Sequence, residues 1–401
     1  MMRSHRAVGW LTILVAGTVA GCNNEDVSTS PTSAEAADPA VSALATSGAP
    51  TFEQVSAGGY HTCGVATDGR AWCWGLNRDG ELGDGTTRNR GLPVLVRTSL
   101  RFTQISAGTF HTCALTTGDR VFCWGFGGDG QLGTGTTTVQ LKPVAVAGTR
   151  RYRDVRAGYR STCAVTTSRV AFCWGDNSTA QLGDGTRTRR LRPTGVAGGL
   201  TFDRVVAGTD HACGLATDDR AYCWGNNNYG QTNDFSAGVT LRPSLVDASP
   251  GPYRQASAGD QHGCVVTLGK VAWCWGRSFD GEVGGGSRGV FFGLLEVAGN
   301  LRFLGVSPGG AHTCGVTADN LAYCWGNNSL GQLGSLTGGA DRLSPTLVAG
   351  GLHFRSLHAG IGHTCGVATS GRAYCWGANA QGQLGNGHTG TGSSVPVQIG
   401  D

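Results

Sequence analysis

The chain has 401 residues, of which 14% are charged, with a net charge of +4, 68 glycines and 15 cysteines. So small a charge excess excludes the strongly basic footprint of a nucleic-acid binder. The glycines recur at fixed places, so they read as turn chemistry and exclude a low-complexity chain.

The first element is an export signal. In "MMRSHRAVGWLTILVAGTVAGCNN", Arg3 and Arg6 precede an apolar stretch too short to span a membrane. Val19-Ala20-Gly21-Cys22 resembles the lipobox of bacterial lipoproteins. The resemblance implies a signal peptide over 1–21, cleavage before Cys22, and a lipid on that cysteine. Cysteines bearing several acyl chains anchor a protein stably, as one chain does not. Asn23 is not the acidic residue that some bacteria use for inner-membrane retention, so the expected address is the cell envelope, on the outer membrane. Residues 22–50 hold the anchor site and a run rich in Ser, Ala and Pro, with four acids and no Lys or Arg. Such a composition reads as a disordered tether.

Repeats fill the rest, from Thr51 to Asp401. "HTCGVATDGRAWCWG" (His61 to Gly75) returns six more times, for example as "HTCALTTGDRVFCWG" and "HTCGVATSGRAYCWG". The cysteine pairs are Cys63 and Cys73, Cys113 and Cys123, Cys163 and Cys173, Cys213 and Cys223, Cys264 and Cys274, Cys314 and Cys324, and Cys365 and Cys375. In an exported chain, paired cysteines point to disulfides. A three-residue hairpin loop with Gly69 in the left-handed conformation sets Val65 opposite Ala71 and Cys63 opposite Cys73. Opposed residues lie about 4.5–5.5 Å apart at Cα, which a disulfide can bridge. The alternatives are seven pairs of buried thiols, or zinc held by His61, Cys63 and Cys73. Ser161 stands in the histidine column of repeat 3 while both of its cysteines remain, which argues against zinc.

Each repeat of about fifty residues carries an opening aromatic (Phe52, Phe102, Tyr152, Phe202, Tyr253, Phe303, Phe354), an apolar residue three on, and the two cysteine strands. A Gly-rich loop and a strand containing proline close it. That is four short strands per repeat, with no helical period. In "AWCWG", Trp72 and Trp74 face one way and Ala71 and Cys73 the other. Both faces are apolar, so the sheet is covered on both sides. Stacked sheets around an axis satisfy this, and a closed ring needs no polar caps, whereas a linear solenoid does. The expected fold is all-β: a seven-bladed β-propeller over 51–401, with about four antiparallel strands per blade.

"AGTFHTCALTTGDRVFCWGFGGDGQLGTG" resembles the repeat of the regulator of chromosome condensation family, with its Ala-Gly, His-Thr, Trp-Gly and Gly-Gln-Leu-Gly features. The resemblance covers all seven repeats. It implies a seven-bladed propeller, often closed by strands from both chain ends. It also implies macromolecular binding: the best-known member exchanges nucleotide on a small nuclear GTPase and binds chromatin, and a bacterial branch covers β-lactamases. Repeats 4 ("YGQTND") and 5 ("DGEVGGG") depart from the loop pattern and are expected to carry altered loops.

No Gly-x-Ser-x-Gly stretch occurs, and carboxylates such as Asp68 and Asp119 sit in turns, so no catalytic site is expected. The expected role is a non-catalytic, envelope-anchored scaffold that binds a protein or an envelope component. It works as a monomer, meets the membrane only through its lipid, and uses no nucleic acid, metal or cofactor. The alternatives are an inhibitor that covers a secreted or periplasmic enzyme, a structural or adhesive surface protein and, last, a hydrolase. Variable residues against a constant frame mark the candidate partner-binding site: Tyr60, Phe110, Tyr159, Arg160, Asp210, Asp260 and Gln261. A second variable stretch holds Arg187, Arg189, Arg190 and Arg192, for which a solvated loop is the plainer account and binding to acidic polymer or lipid headgroups the sharper one.

Overall fold

The cysteine spacing builds a hairpin. In the first repeat β2 (His61–Ala66) and β3 (Ala71–Gly75) pair antiparallel, with Val65 opposite Ala71 and Cys63 opposite Cys73. Ala66 N–H donates to Arg70 O across the turn, and Gly69 takes the left-handed conformation at φ 77°. Counting from that bonded pair puts Cys63 and Cys73 at a non-hydrogen-bonded site, where strands approach closest. All seven pairs are bridged as expected from the spacing, with Cα separations of 4.0 Å in the first and 4.1 Å in the second, shorter than the expected range. Both sulfurs being oxidised, no thiolate remains there for a metal.

The computed structural model describes residues 50–400 apart from 236, 237 and 248. The signal over 1–21, the lipid site at Cys22 and the tether short of residue 50 lie outside the described residues. The described chain forms seven four-stranded antiparallel sheets, each in simple strand order, and no helix. It is a seven-bladed β-propeller. The first blade is β1 (Phe52–Ala57), β2, β3 and β4 (Arg90–Leu95), followed by six of the same plan. The last is β25 (Phe354–Ala359), β26 (His363–Ala368), β27 (Ala373–Asn379) and β28 (Gly390–Gln398).

The three-residue gap between opening aromatic and apolar residue does not fit a strand's period of two. A bulge resolves it. The register of β1 against β2 shifts between Phe52 and Gln54, so Phe52 and Val55 are both buried in one core. That core lies between blades. It joins Phe52, Val55 and Trp74 of the first blade to Cys365, Cys375 and Leu384 of the last. Each bridge therefore staples one blade while packing against the next. Burying each such Phe or Trp contributes roughly 1.5–3 kcal/mol, comparable with the bridge itself.

The ring closes without shared strands, a point the sequence left open: β25 to β28 are contiguous, as are β1 to β4. Trp124 Nε1 donates to Glu81 O at 2.9 Å, and Thr112 Oγ1 donates to the same carbonyl, so the loop of one blade seats the strands of the next. Glycine at 83 permits a close approach, since a Cβ there would come within 2.7 Å of Trp124 Nε1 as the two blades now sit. Trp74 makes the same bond to Gln383 O across the closure. Repeats 4 and 5 keep this path despite their sequences. Trp275 bonds Gln231 O and Trp325 bonds Glu282 O, while Asn233 takes the glycine conformation at φ 55°.

Candidate functional site

Strands one and three of each blade run toward the same end, so two loops per blade share one face. Leu76 N–H donates to Tyr60 O and Phe126 N–H to Phe110 O, which seats the residue after Trp-Gly beside the variable dipeptide. Around the axis, backbone bonds knit neighbouring loops: Gly59 N to Gly108 O at 3.0 Å, Thr109 N to Gly158 O at 3.1 Å, and finally Ile361 N to Gly58 O at 3.2 Å. The Ala-Gly glycine permits this approach. A Cβ on Gly58 would lie 2.3 Å from Gly108 O.

This face gathers the candidate residues. Tyr60, Phe110 and Tyr159 form a continuous aromatic arc over blades 1 to 3, with centroids 6.2 Å and 5.6 Å apart. Phe126 extends it, 6.5 Å from Phe110 and edge-on. Arg160 lies over Tyr159 at 5.1 Å, with its Nε 3.6 Å from Asp129 Oδ2. Tyr60 is exposed, and Phe110, Phe126 and Tyr159 are half-buried. Aromatic faces carrying an arginine suit desolvated contact.

Blades 4 and 5 make an acidic sector. Asp210 Oδ2 accepts a bond from Asn226 Nδ2 at 2.6 Å. Burial raises the carboxyl pKa values of both Asp210 and Asp260, and their mutual repulsion adds to the rise at Asp260. Gln261 is half-buried, and its carbonyl accepts Arg277 N–H. Tyr159 and Asp260 also line the mouth of the central channel.

The histidine column is a blade-to-blade fastener. His61 Nε2 lies 2.8 Å from Thr112 Oγ1, and His111 makes the same contact to Thr162. Burial holds His61 and His111 to a pKa of about 3, so both rings are neutral. Among the described residues no group of three His, Cys, Asp or Glu side chains is placed to hold a metal ion. Three arginines of the second variable stretch are engaged locally: Arg190 pairs with Asp184, Arg187 donates to Ser178 O, and Arg189 to Gly128 O, while Arg192 is exposed.

Two sets of residues escaped the sequence reading. One is the position after Trp-Gly, which brings Phe126 to the arc; its variability (Leu76, Phe126, Asp176, Asn226, Arg277, Asn327, Ala378) was the signal. The other is the channel wall. Positions three and five of each inner strand face the axis, and they include Asp154, Arg156, Arg204 and His358.

A family model described as RCC1-like domain matches residues 16–364, and models of the regulator of chromosome condensation (RCC1) repeat match residues 354–383 and 370–401. No curated protein matches the chain. Among solved structures, human WBSCR16 is similar at 21% identity and TM-score 0.73, covering 80% of this chain and 88% of that one. Prp20p from Saccharomyces cerevisiae, described with its binding properties to Gsp1p and histones, matches at 20% identity and TM-score 0.73, covering 82% and 85%. The CRINKLY ectodomain of the Arabidopsis thaliana receptor kinase ACR4 matches at 21% identity and TM-score 0.53, covering 88% and 99%.

Proposed function

Because the chain belongs to the RCC1-like domain family, we propose that it is an interaction scaffold that binds a protein partner through the face bearing Tyr60, Phe110 and Tyr159. The aromatic arc carries this reading. Three rings on successive blades, flanked by Arg160, offer the residue types that dominate interface hot spots. The acidic sector at Asp210 and Asp260 supplies polarity that orients a partner. The use to which yeast Prp20 is put supports the reading, since it is described as binding Gsp1p and histones and as bound by Kap60. We read the face as binding without catalysis, with Asp210 Oδ2 held by Asn226 and Arg160 set beside Asp129.

We further propose that the propeller is held at the cell envelope by a lipid on Cys22. Arg3, Arg6, the apolar run and Val19-Ala20-Gly21-Cys22 support this address. The acidic stretch after Cys22 serves as the tether.

The test is capture from the native envelope with the purified chain, beside a variant carrying Tyr60→Ala, Phe110→Ala and Tyr159→Ala. A species captured by the first and lost by the second, at equal melting temperature, supports the assignment. Equal capture dismisses this face. For the anchor, Cys22→Ser should abolish incorporation of labelled fatty acid and release the chain from membranes; undiminished labelling dismisses it.

A further inference from the structure

The channel wall follows a rule in blades 1, 2 and 5, with Gln at position three and Ser at position five of the inner strand. At position three, Gln54 grips the next inner strand twice: Nε2 donates to Ile105 O at 3.0 Å and Oε1 accepts Ile105 N–H at 3.1 Å. Gln255 grips Val306 in the same way. At position five, Ser56 Oγ accepts Ala107 N–H at 3.0 Å, and Ser106 and Ser307 repeat the contact. These polar side chains are spent on holding blades together.

Blades 3 and 4 break the rule side by side. Blade 3 carries Asp154 and Arg156, and blade 4 carries Arg204, where blades 1, 2 and 5 have Gln at position three and Ser at position five; blade 6 has Gly305 at position three, and blade 7 has Ser356 and His358. Both arginines line a central cavity of about 320 Å³ bounded by the inner strands of all seven blades. One oxygen, Asp154 Oδ1, serves both: it is 3.1 Å from Arg156 Nη2 and 3.8 Å from Arg204 Nε. The same oxygen accepts Gln104 Nε2 at 2.8 Å. Two guanidinium groups therefore share a single, already engaged carboxylate oxygen. Arg156 Nε is buried with no protein partner, as is Asp154 Oδ2. The charge of Arg156 is the first cause lowering the pKa of Arg204. His358 adds no charge, since burial holds it to about 4, and Asp260 is the acid at the upper mouth.

We propose that the channel binds a small oxyanion, a carboxylate or a phosphate, between Arg156 and Arg204. The guanidinium edge presents donors in a fork that matches two oxygens of such a group. An anion there supplies the acceptor that Arg156 Nε lacks and offsets the repulsion between the two arginines. The cavity volume admits a small acid or the tip of a side chain, and excludes a folded segment. Its upper mouth opens among Gly59, Tyr159 and Ile361, on the face described above. The oxyanion is thus either free in solution or the carboxylate of a partner's Asp or Glu. The binding itself does not depend on the partner reading.

The experiment is calorimetric titration of the purified chain at low salt, with three probes: inorganic phosphate, acetate, and a short peptide with a central Glu beside its Gln counterpart. The variants are Arg156→Ser and Arg204→Gln, which install the residues of other blades and restore their grips, so folding is preserved. We expect at least one probe to bind the parent chain and to weaken about tenfold or more in each variant, as loss of a charged hydrogen bond requires, with the unliganded melting temperature unchanged or raised. Binding of phosphate or acetate assigns a free anion. Binding of the Glu peptide alone, lost with Gln, assigns a carried carboxylate. Absence of binding by all three probes, or equal binding by the variants, overturns the proposal.

Discussion

His363 Nε2 lies 2.8 Å from Thr62 Oγ1, and this contact joins the last blade to the first across 301 residues of sequence. It has the same length as the internal contact of His61 with Thr112. The ring is thus closed by the fastener that joins consecutive blades. Thr62→Val and Thr112→Val should each cost about 1–3 kcal/mol, since each leaves a buried histidine nitrogen without a partner, while the carbonyl keeps its tryptophan bond. Urea unfolding of both variants checks this. A much smaller cost at Thr62 would mean an undocked seam.

The fastener is missing on both sides of blade 4. Ser161 replaces histidine before it, and Ala212 and Gly263 replace the accepting threonines, leaving His211 Nε2 buried and unpartnered. Hydrogen exchange should therefore open first at blade 4, β13 (Phe202–Ala207) to β16 (Val239–Leu245). Uniform protection across the blades would contradict this.

The left-handed position of the hairpin turn is glycine in blades 1 and 7, but Asp119, Arg169, Asp219, Lys270 and Asn320 adopt it elsewhere, with Lys270 at φ 65°. A side chain there costs roughly 1–2 kcal/mol, part of which glycine loses again through its freer unfolded chain. Lys270→Gly should stabilise by about 0.5–1 kcal/mol, read as a higher denaturation midpoint. A lower midpoint would remove the strain argument.

Glu81 stands where five repeats have glutamine, and burial raises its carboxyl pKa from 4.5 to about 7. A carboxyl raised in the folded state contributes stability that is full below 4.5 and is lost as pH rises through 7. Glu81→Gln should therefore change little at pH 4.5 and stabilise by up to about 3 kcal/mol at pH 8. Melting curves of the pair across that range decide it, and a constant difference would show an ordinary, solvated carboxyl.

The histidines act in the opposite direction. Burial lowers His312 to about 4, so its neutral form belongs to the folded state. That contribution is full above 6.5 and is lost as pH falls toward 4. The melting temperature should drop between pH 6.5 and 5, and drop less in His312→Gln. An equal drop would place the acid sensitivity elsewhere.

Much of the fold was legible because its signals are local. The ten-residue spacing of Cys63 and Cys73 and the turn at Gly69 specify one hairpin register, and that register is present. The arc of Tyr60, Phe110 and Tyr159 was legible for a related reason: residues that vary at one place in a repeat fall at one place in every blade. Phe126 was not read, because its nearness to Phe110 needs the third strand to end beside the first loop. The mode of closure was not legible, because a shared strand and a contiguous one look alike in a repeat pattern.

The chain order alone determined the repeat, the strands within each blade and the cysteines that bridge them, since all of these are settled by partners within one repeat. Only the tertiary structure decided what meets across blades: Thr62 with His363, Trp124 with the Glu81 carbonyl, Arg156 with Arg204. Those partners lie tens to hundreds of residues apart, and an inner-strand arginine reads as an ordinary surface residue until seven sheets surround one axis and turn it toward another charge.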